Sequence, residues 1–428
     1  MVSAVQITPP MSADRAREVA AAFDLRALPA DFLANPYPVY GLLRKTEPVR
    51  RMPDDSLFLT RHADLMAVYR DAALFSSDKH VEFAPKYGAD SPLYEHHTTS
   101  LVFNDPPLHT RVRKLIMGAL TRRAIADMEP GLVALVDQLL DRIEAQGGGD
   151  LIEDFASAIP VEIIGNLLGV PQQDRGPLRD WSLAILGALE PVPTPAQHAA
   201  GNRSVTEMLD YLRTLVAERR KAPGDPERDV LTRLIEGEAG GERLGEVELL
   251  QNCIFLLNAG HETTTNLIGN GLILLQEFPA ARAMLLADLQ AATDNAAREQ
   301  VLALAVDECL RFESSNQLGN RRALAPAAIG GMEVAAGTLI TLCIGAANRD
   351  PAAFADPDTL DLRREGNRHL AFGFGIHQCA GLSLARLEGR IALGRFLERF
   401  GRFELSAPPL RGGRARFRGF LSAPFRTN

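Results

Sequence analysis

A glycine-punctuated stretch, Phe372-Gly373-Phe374-Gly375-Ile376-His377-Gln378-Cys379-Ala380-Gly381, presents one cysteine just ahead of a run rich in alanine and leucine. Gly373 and Gly375 let the backbone turn tightly and approach a flat partner where a side chain would clash. The Ala/Leu run predicts a helix, and a cysteine at its head has free N–H groups and the dipole's positive end beside its sulfur, which favours a thiolate. Taken alone, a cysteine is more often a small buried hydrophobe than a ligand. A thiolate held this way could serve as the axial ligand of a haem iron. A dinucleotide-binding loop fails, because position 378 is Gln where a third glycine is needed.

A second constellation is Ala259-Gly260-His261-Glu262-Thr263-Thr264. Small residues at 259 and 260 would open a groove for a diatomic ligand or a close-packed cofactor, and the adjacent acid and alcohol could relay protons. Hydroxyls within a helix also bond back to the i−4 carbonyl and bend it. His261-Glu262 begins a zinc-protease motif, but position 265 is Thr where the second histidine belongs. Glu308 and Arg311 form an E-x-x-R pair on one helix face. On the surface such a pair contributes under about 1 kcal/mol. His109 and Arg113, four apart at a helix start, could clamp an anionic group through charge-assisted hydrogen bonds.

These residues need long helices to hold them. A helical pattern from about Gly245 to Phe278, stopped by Pro279, would be roughly 50 Å long. From Pro106 to about Leu289 the pattern is mostly helical, broken at 147–149, at 191–195 and at Gly240-Gly241. Residues 48–60 read as a hairpin and His62 to Asp71 as a helix, and strands return near 327–344 and after Phe403. Residues 76–104 read as a long loop. The fold class is therefore mainly α with a small β-sheet region, with residues 1–25 as a flexible N-terminal arm and 26–428 as a single domain.

The composition agrees with a globular protein: 46% hydrophobic and 23% charged residues. The net charge of −8 argues against nucleic acid as a partner. No apolar run approaches the roughly 18–20 residues needed to cross a bilayer, and residues 1–26 lack the apolar stretch of a secretory signal. The expected location is cytoplasmic, with no membrane contact. Four widely spaced cysteines, with no C-x-x-C, argue against a disulfide framework or a Cys-rich zinc site.

The Cys379 stretch matches the haem-binding loop Phe-Gly-x-Gly-x-His-x-Cys-x-Gly of the cytochrome P450 superfamily at every fixed position. The chain resembles a soluble bacterial-type member from Asn35-Pro36-Tyr37-Pro38, through Ala347-Asn348-Arg349-Asp350-Pro351 and Leu384-Ala385-Arg386-Leu387-Glu388, to its C-terminal strands. The resemblance implies haem b (iron protoporphyrin IX) held between the long central helix and the Cys-loop, with Cys379 as metal ligand. It places Phe372, Gly373 and Gly381 in the haem loop and Ala259 and Gly260 across from it. His109, Arg113, Arg321 and His377 fall on the haem propionates, with Arg322 the substitute should the spacing be one residue off. Glu308 and Arg311, completed by Arg364, form a buried structural network, and Glu262 and Thr263 deliver protons.

The implied activity is a monooxygenase that activates O2 with two externally supplied electrons to hydroxylate or O-dealkylate a small to medium organic substrate. The chain leaves no room for a fused reductase, so ferredoxin and an NAD(P)H-dependent ferredoxin reductase are the expected donors. Arg111, Lys114, Arg122 and Arg123 are the expected docking cluster. A peroxide-driven peroxygenase or another non-monooxygenase reaction is the alternative, and the Glu262-Thr263 pair favours the first. One departure concerns the substrate side: the family often has Pro four residues beyond the Arg of E-x-x-R, where this chain has Ser315. Asn316, Gln317 and Leu318 then line the pocket, Asn258 faces it, and His96, His97 and Thr98 cap it.

Overall fold

The structure, a computed structural model, describes residues 7–226, 229–239 and 242–427; Gly240-Gly241 and the first six residues of the expected arm lie outside these. The long helix runs Glu246–Glu277, 32 residues, or about 48 Å at 1.5 Å per residue. Its start is fixed where the Glu248 carboxylate accepts the Gly245 N–H at 2.9 Å, and Pro279 opens the next helix. From Leu249 onward it is buried on almost every side, including polar residues such as Gln251, Asn252, Asn258, Glu262 and Asn270. Helices Ala158–Leu168, Leu178–Gly187 and Leu382–Arg399 pack on it. Helix Leu382–Arg399 also packs on Asn295–Phe312 and Arg122–Gln146, so the element following Cys379 is clamped on three sides.

The main sheet has five strands in the order Val49–Arg51, Leu57–Leu59, Leu339–Cys343, Leu318–Ala323, Phe75–Ser76. The 48–60 hairpin is present, with Val49 opposite Leu59. Strand Leu318–Ala323 pairs antiparallel to Leu339–Cys343, with Asn320 opposite Thr341. Its polar sequence hid it from a reading based on apolar alternation, since it carries Asn320, Arg321 and Arg322 inside the molecule.

Two expectations need correction. The arm contains a helix, Ala13–Ala21, capped by the Ser12 side chain and buried through Ala16, Val19 and Ala20. Phe23 follows it into a cluster with Phe58, ring centroids 4.8 Å apart, and Thr8 donates to the Glu277 carboxylate at the far end of the long helix. Apolar residues at helical spacing dock this segment despite its polar composition. Residues 76–104 likewise hold two helices, His80–Tyr87 and Pro92–Thr99. The second has an ordinary start signal, Ser91 accepting the Tyr94 N–H at 3.1 Å with Pro92 in the first turn.

Candidate active site

The cysteine loop folds as its glycines allow. Gly373 and Gly375 have φ of 64° and 75°, values that disfavour other residues. A Cβ on Gly375 would lie 2.4 Å from the Tyr69 carbonyl oxygen. The Cys379 N–H donates to Phe372 O at 2.9 Å, closing the loop on itself. Arg386 lies over the Phe372 ring at 4.9 Å and bonds Asp307 at 2.7 Å, tying the loop's helix to the E-x-x-R helix. The Gly381 N–H, Arg113 and Arg386 favour a charged sulfur, but desolvation outweighs them and raises the Cys379 pKa. The helix terminus alone does not make a thiolate.

Behind the loop, Glu308 and Arg311 are both 0% exposed. Arg311 donates to Glu308 at 2.7 and 2.8 Å, and to the carbonyls of Asn348, Pro357 and Thr359. Arg364 completes the network at 3.1 Å from Glu308, joined by the Asn367 amide and the Asp361 N–H. The pair is a buried, fully bonded ion pair rather than a surface one.

Cys379 opens onto a large internal cavity. The long helix also lines it, through Asn258, Ala259, Gly260, Thr263 and Thr264. The Thr263 hydroxyl donates to Ala259 O at 2.7 Å, the back-bond expected of an alcohol within a helix. Gly260 has a second reason beside the expected one. A Cβ there would lie 2.3 Å from Ile164 Cδ1, so the glycine admits a neighbouring helix as well as lining the cavity. Glu262 departs further. It turns off the cavity onto Arg414, with which it forms a buried ion pair. Burial holds its pKa up at about 7 against the pull of Arg414, with Glu190 adding to the rise. Thr263 and Thr264 line the cavity while Glu262, one step before them on the helix, is drawn aside by its pairing with Arg414.

The expected anion clamp comes together at the cavity. The His109 and His377 rings lie tilted against each other with centroids 4.1 Å apart, and Arg113 and Arg321 line the same space. Both nitrogens of His109 and Nε2 of His377 are buried without a hydrogen-bond partner. Desolvation and the neighbouring arginines push both imidazoles below their usual pKa. Arg321 sits 5.2 Å above the Tyr69 ring and makes no ion pair among the described residues, whereas Arg322 is paired with Glu82. The geometry thus selects Arg321 over Arg322.

Of the substrate-side candidates, Asn258, Asn316 and Leu318 line the cavity, and Asn258 has both amide atoms buried and unpartnered. Gln317 does not reach it. Its amide donates to Ser314 O at 2.7 Å and to the Tyr37 hydroxyl, because alternation along an extended segment sends residue 317 away from 316 and 318. His96 and His97 line the cavity from helix Pro92–Thr99, while Thr98 bonds back to Tyr94 O. Sequence reasoning missed Arg416 and gave Ser315 and Glu388 no place among the lining residues, yet all three line the cavity. A signal for the first existed: Arg414, Arg416 and Arg418 alternate at strand spacing.

Buried imidazole nitrogens with no partner, two unpaired guanidinium groups and a thiol, all facing one cavity across a helix groove, fit a flat group that carries an iron and two carboxylates. Fold and site together define a haem-binding protein of the thiolate-ligated class. Comparison with known proteins agrees. The family model "Cytochrome P450" matches residues 181–421. The chain is 36% identical over 399 residues to cytochrome P450 107B1 of Saccharopolyspora erythraea, covering 90% of this chain and 93% of that protein. It is 36% identical over 368 residues to the vitamin D(3) 25-hydroxylase of Pseudonocardia autotrophica, covering 85% and 86%. Among solved structures, P450BioI in complex with a hexadec-9Z-enoic acid ligated acyl carrier protein superposes with a TM-score of 0.85 at 30% identity, covering 93% of this chain and 100% of that one. The chain belongs to the cytochrome P450 family, and it is a haem monooxygenase. Members of the family hold haem through a cysteine thiolate. Among the described residues, no helix is long and apolar enough to cross a membrane.

Proposed function

We propose that Cys379 is the axial haem ligand of a monooxygenase that hydroxylates, or O-dealkylates, a small to medium organic substrate with electrons from a separate ferredoxin and ferredoxin reductase. Haem bound there would supply O2 binding and activation. His109, Arg113, His377 and Arg321 would hold its two carboxylates, and the orphaned imidazole nitrogens are the observation that supports this set. The observation that carries the whole reading is that Cys379 and Thr263 line one cavity. The Thr263 hydroxyl, bonded to Ala259 O, is a proton-bearing group on the helix where it lines that space. Glu262 would serve as the acid behind it only on releasing Arg414.

Lys114, Arg122 and Arg123 are exposed and form the proposed docking surface for an acidic ferredoxin. Arg111 drops out of that cluster, because it is paired with Glu248. One observation favours the peroxide-driven alternative: Glu262 is held off the cavity by Arg414. Turnover separates the two, using as substrate the compound that gives the largest ferric spectral shift in a library screen. Product from ferredoxin, reductase and NAD(P)H, and little from hydrogen peroxide alone, is the expected result. Equal product from peroxide alone would move the chain to the peroxygenase reading.

A further inference from the structure

The charges lining the cavity do not balance around a haem. Among the described lining residues, three are arginines (Arg113, Arg321 and Arg416) and one is an acid, Glu388. Two arginines and two imidazoles suffice for two propionates. Glu388 adds little negative charge at neutral pH, since burial pushes its pKa up to about 8. Arg416 is the surplus cation.

Its surroundings do not neutralise it. Arg416 Nε donates to Leu189 O at 3.2 Å, Nη1 to Leu318 O at 2.9 Å and Nη2 to the Asn320 side-chain oxygen. All three acceptors are uncharged, and two of the guanidinium's five N–H groups remain unused. Among the described residues, no carboxylate lies within ion-pair distance of it. Among the described residues Glu190 supplies the largest opposing charge, but that carboxylate accepts the backbone N–H groups of Ala415, Arg416 and Phe417. Lys86, which donates to Glu190 O at 2.8 Å, brings no negative charge either: desolvation first, and then Arg416, lower its pKa to about 7. A buried cation without an anion is expensive.

The polar atoms around it are equally unfinished. Ser315 Oγ and His97 Nε2, on residues 5% and 2% exposed, have no partner, and both residues line the cavity. Residues 315–317 are stitched to 416–418 by Gln317 N to Arg416 O and Arg418 N to Ser315 O, each 2.8 Å, and Asn316 is bridged to Phe417. His97 feels both Arg416 and Lys86. The rest of this wall, including Leu186, Leu189, Phe255 and Leu256, is apolar.

We propose that Arg416, with Ser315, Asn316 and His97 beside it, is the receptor for a substrate carboxylate, so that this enzyme's substrates are monocarboxylic acids with a largely apolar body. The inference rests on the monooxygenase reading for its reaction. It adds the substrate class: the acid head is held on the Arg416 wall, leaving the apolar body to face the wall of Cys379.

The test uses the haem-loaded enzyme and matched probes: dodecanoate and 4-cyclohexylbenzoate, each beside its methyl ester and its primary alcohol. Binding is measured by calorimetry and by the ferric spectral shift. The acids should bind roughly ten- to a hundred-fold more tightly than their neutral partners, the range expected for charge-assisted hydrogen bonds. Arg416→Gln should erase that preference while leaving ester affinity within about two-fold; Arg416→Lys should restore part of it. Because Arg416 also ties strand Leu318–Ala323 to the 415–417 segment, Ser315→Ala provides a second variant that keeps those bonds, and it should weaken acid binding alone. Equal affinity of acid and ester in the wild type, or equal loss of both in the variants, overturns the proposal. A thiolate-type CO complex and reductase-driven turnover of a neutral compound would in that case leave the monooxygenase reading standing.

Discussion

Removing Glu308 tests the brace behind the haem loop most severely. All five N–H groups of Arg311 are engaged: two on the Glu308 carboxylate and three on the carbonyls of Asn348, Pro357 and Thr359. Glu308→Ala would strand a guanidinium that is 0% exposed, and would also free Arg364, Asn367 and the Asp361 N–H. Losing one partner of a buried pair costs about 3–5 kcal/mol. An exposed pair serves as control: Arg363 bonds Asp288 bidentately with Arg363 58% exposed, and Arg363→Ala should cost under about 1 kcal/mol. Urea unfolding of the haem-loaded protein, followed at the Soret band and by fluorescence of Trp181, gives both values. The double variant Glu308→Ala/Arg311→Met should cost less than the sum of its parts, since it removes the stranded charge. A Glu308→Ala loss no larger than that of Arg363→Ala would refute the argument that this network braces the loop.

Three further outcomes follow from the geometry. Thr263→Ala should uncouple electron use from product, releasing peroxide for each NAD(P)H consumed; unchanged coupling would remove Thr263 from proton delivery. Charge reversal at Arg122 and Arg123 should slow reduction by ferredoxin roughly ten-fold or more at low ionic strength and flatten its salt dependence; unaltered kinetics would place docking elsewhere. Glu388 has its pKa raised by burial from 4.5 to about 8, so in the wild type stability present below about pH 4.5 is lost progressively as pH rises through about 8. Denaturant titrations from pH 5 to 9 should show Glu388→Gln gaining on the wild type across that window, by an amount on the order of 3–5 kcal/mol for a shift of this size. Parallel curves would mean that the carboxyl is solvated.

The features legible in the sequence are those in which chemistry is local. The Cys379 loop, the E-x-x-R pair and the 32-residue helix each announce themselves within a few turns, and glycine, proline and capping residues fix where they begin and end. What was hidden depends on partners distant in the chain. Glu262 and Thr263 read as one acid–alcohol unit, yet Arg414, 152 residues away, draws the acid off the cavity. Gln317 reads as a pocket residue between two that are, and strand alternation turns it toward Tyr37. The alternating arginines 414, 416 and 418 reach Glu262, the Leu318–Asn320 strand and Glu313 respectively. No spacing rule gives those destinations.

The central claim concerns Cys379, a cysteine whose own surroundings raise its pKa, so that binding to iron must supply what keeps its sulfur ionised. The most direct measurement is the absorption spectrum of the reduced CO complex of the wild type and of Cys379→Ser, both loaded with haem. The account predicts a thiolate-type red-shifted Soret band in the wild type and its complete loss in the variant. A variant that kept the red-shifted band would show that another residue ligates the iron.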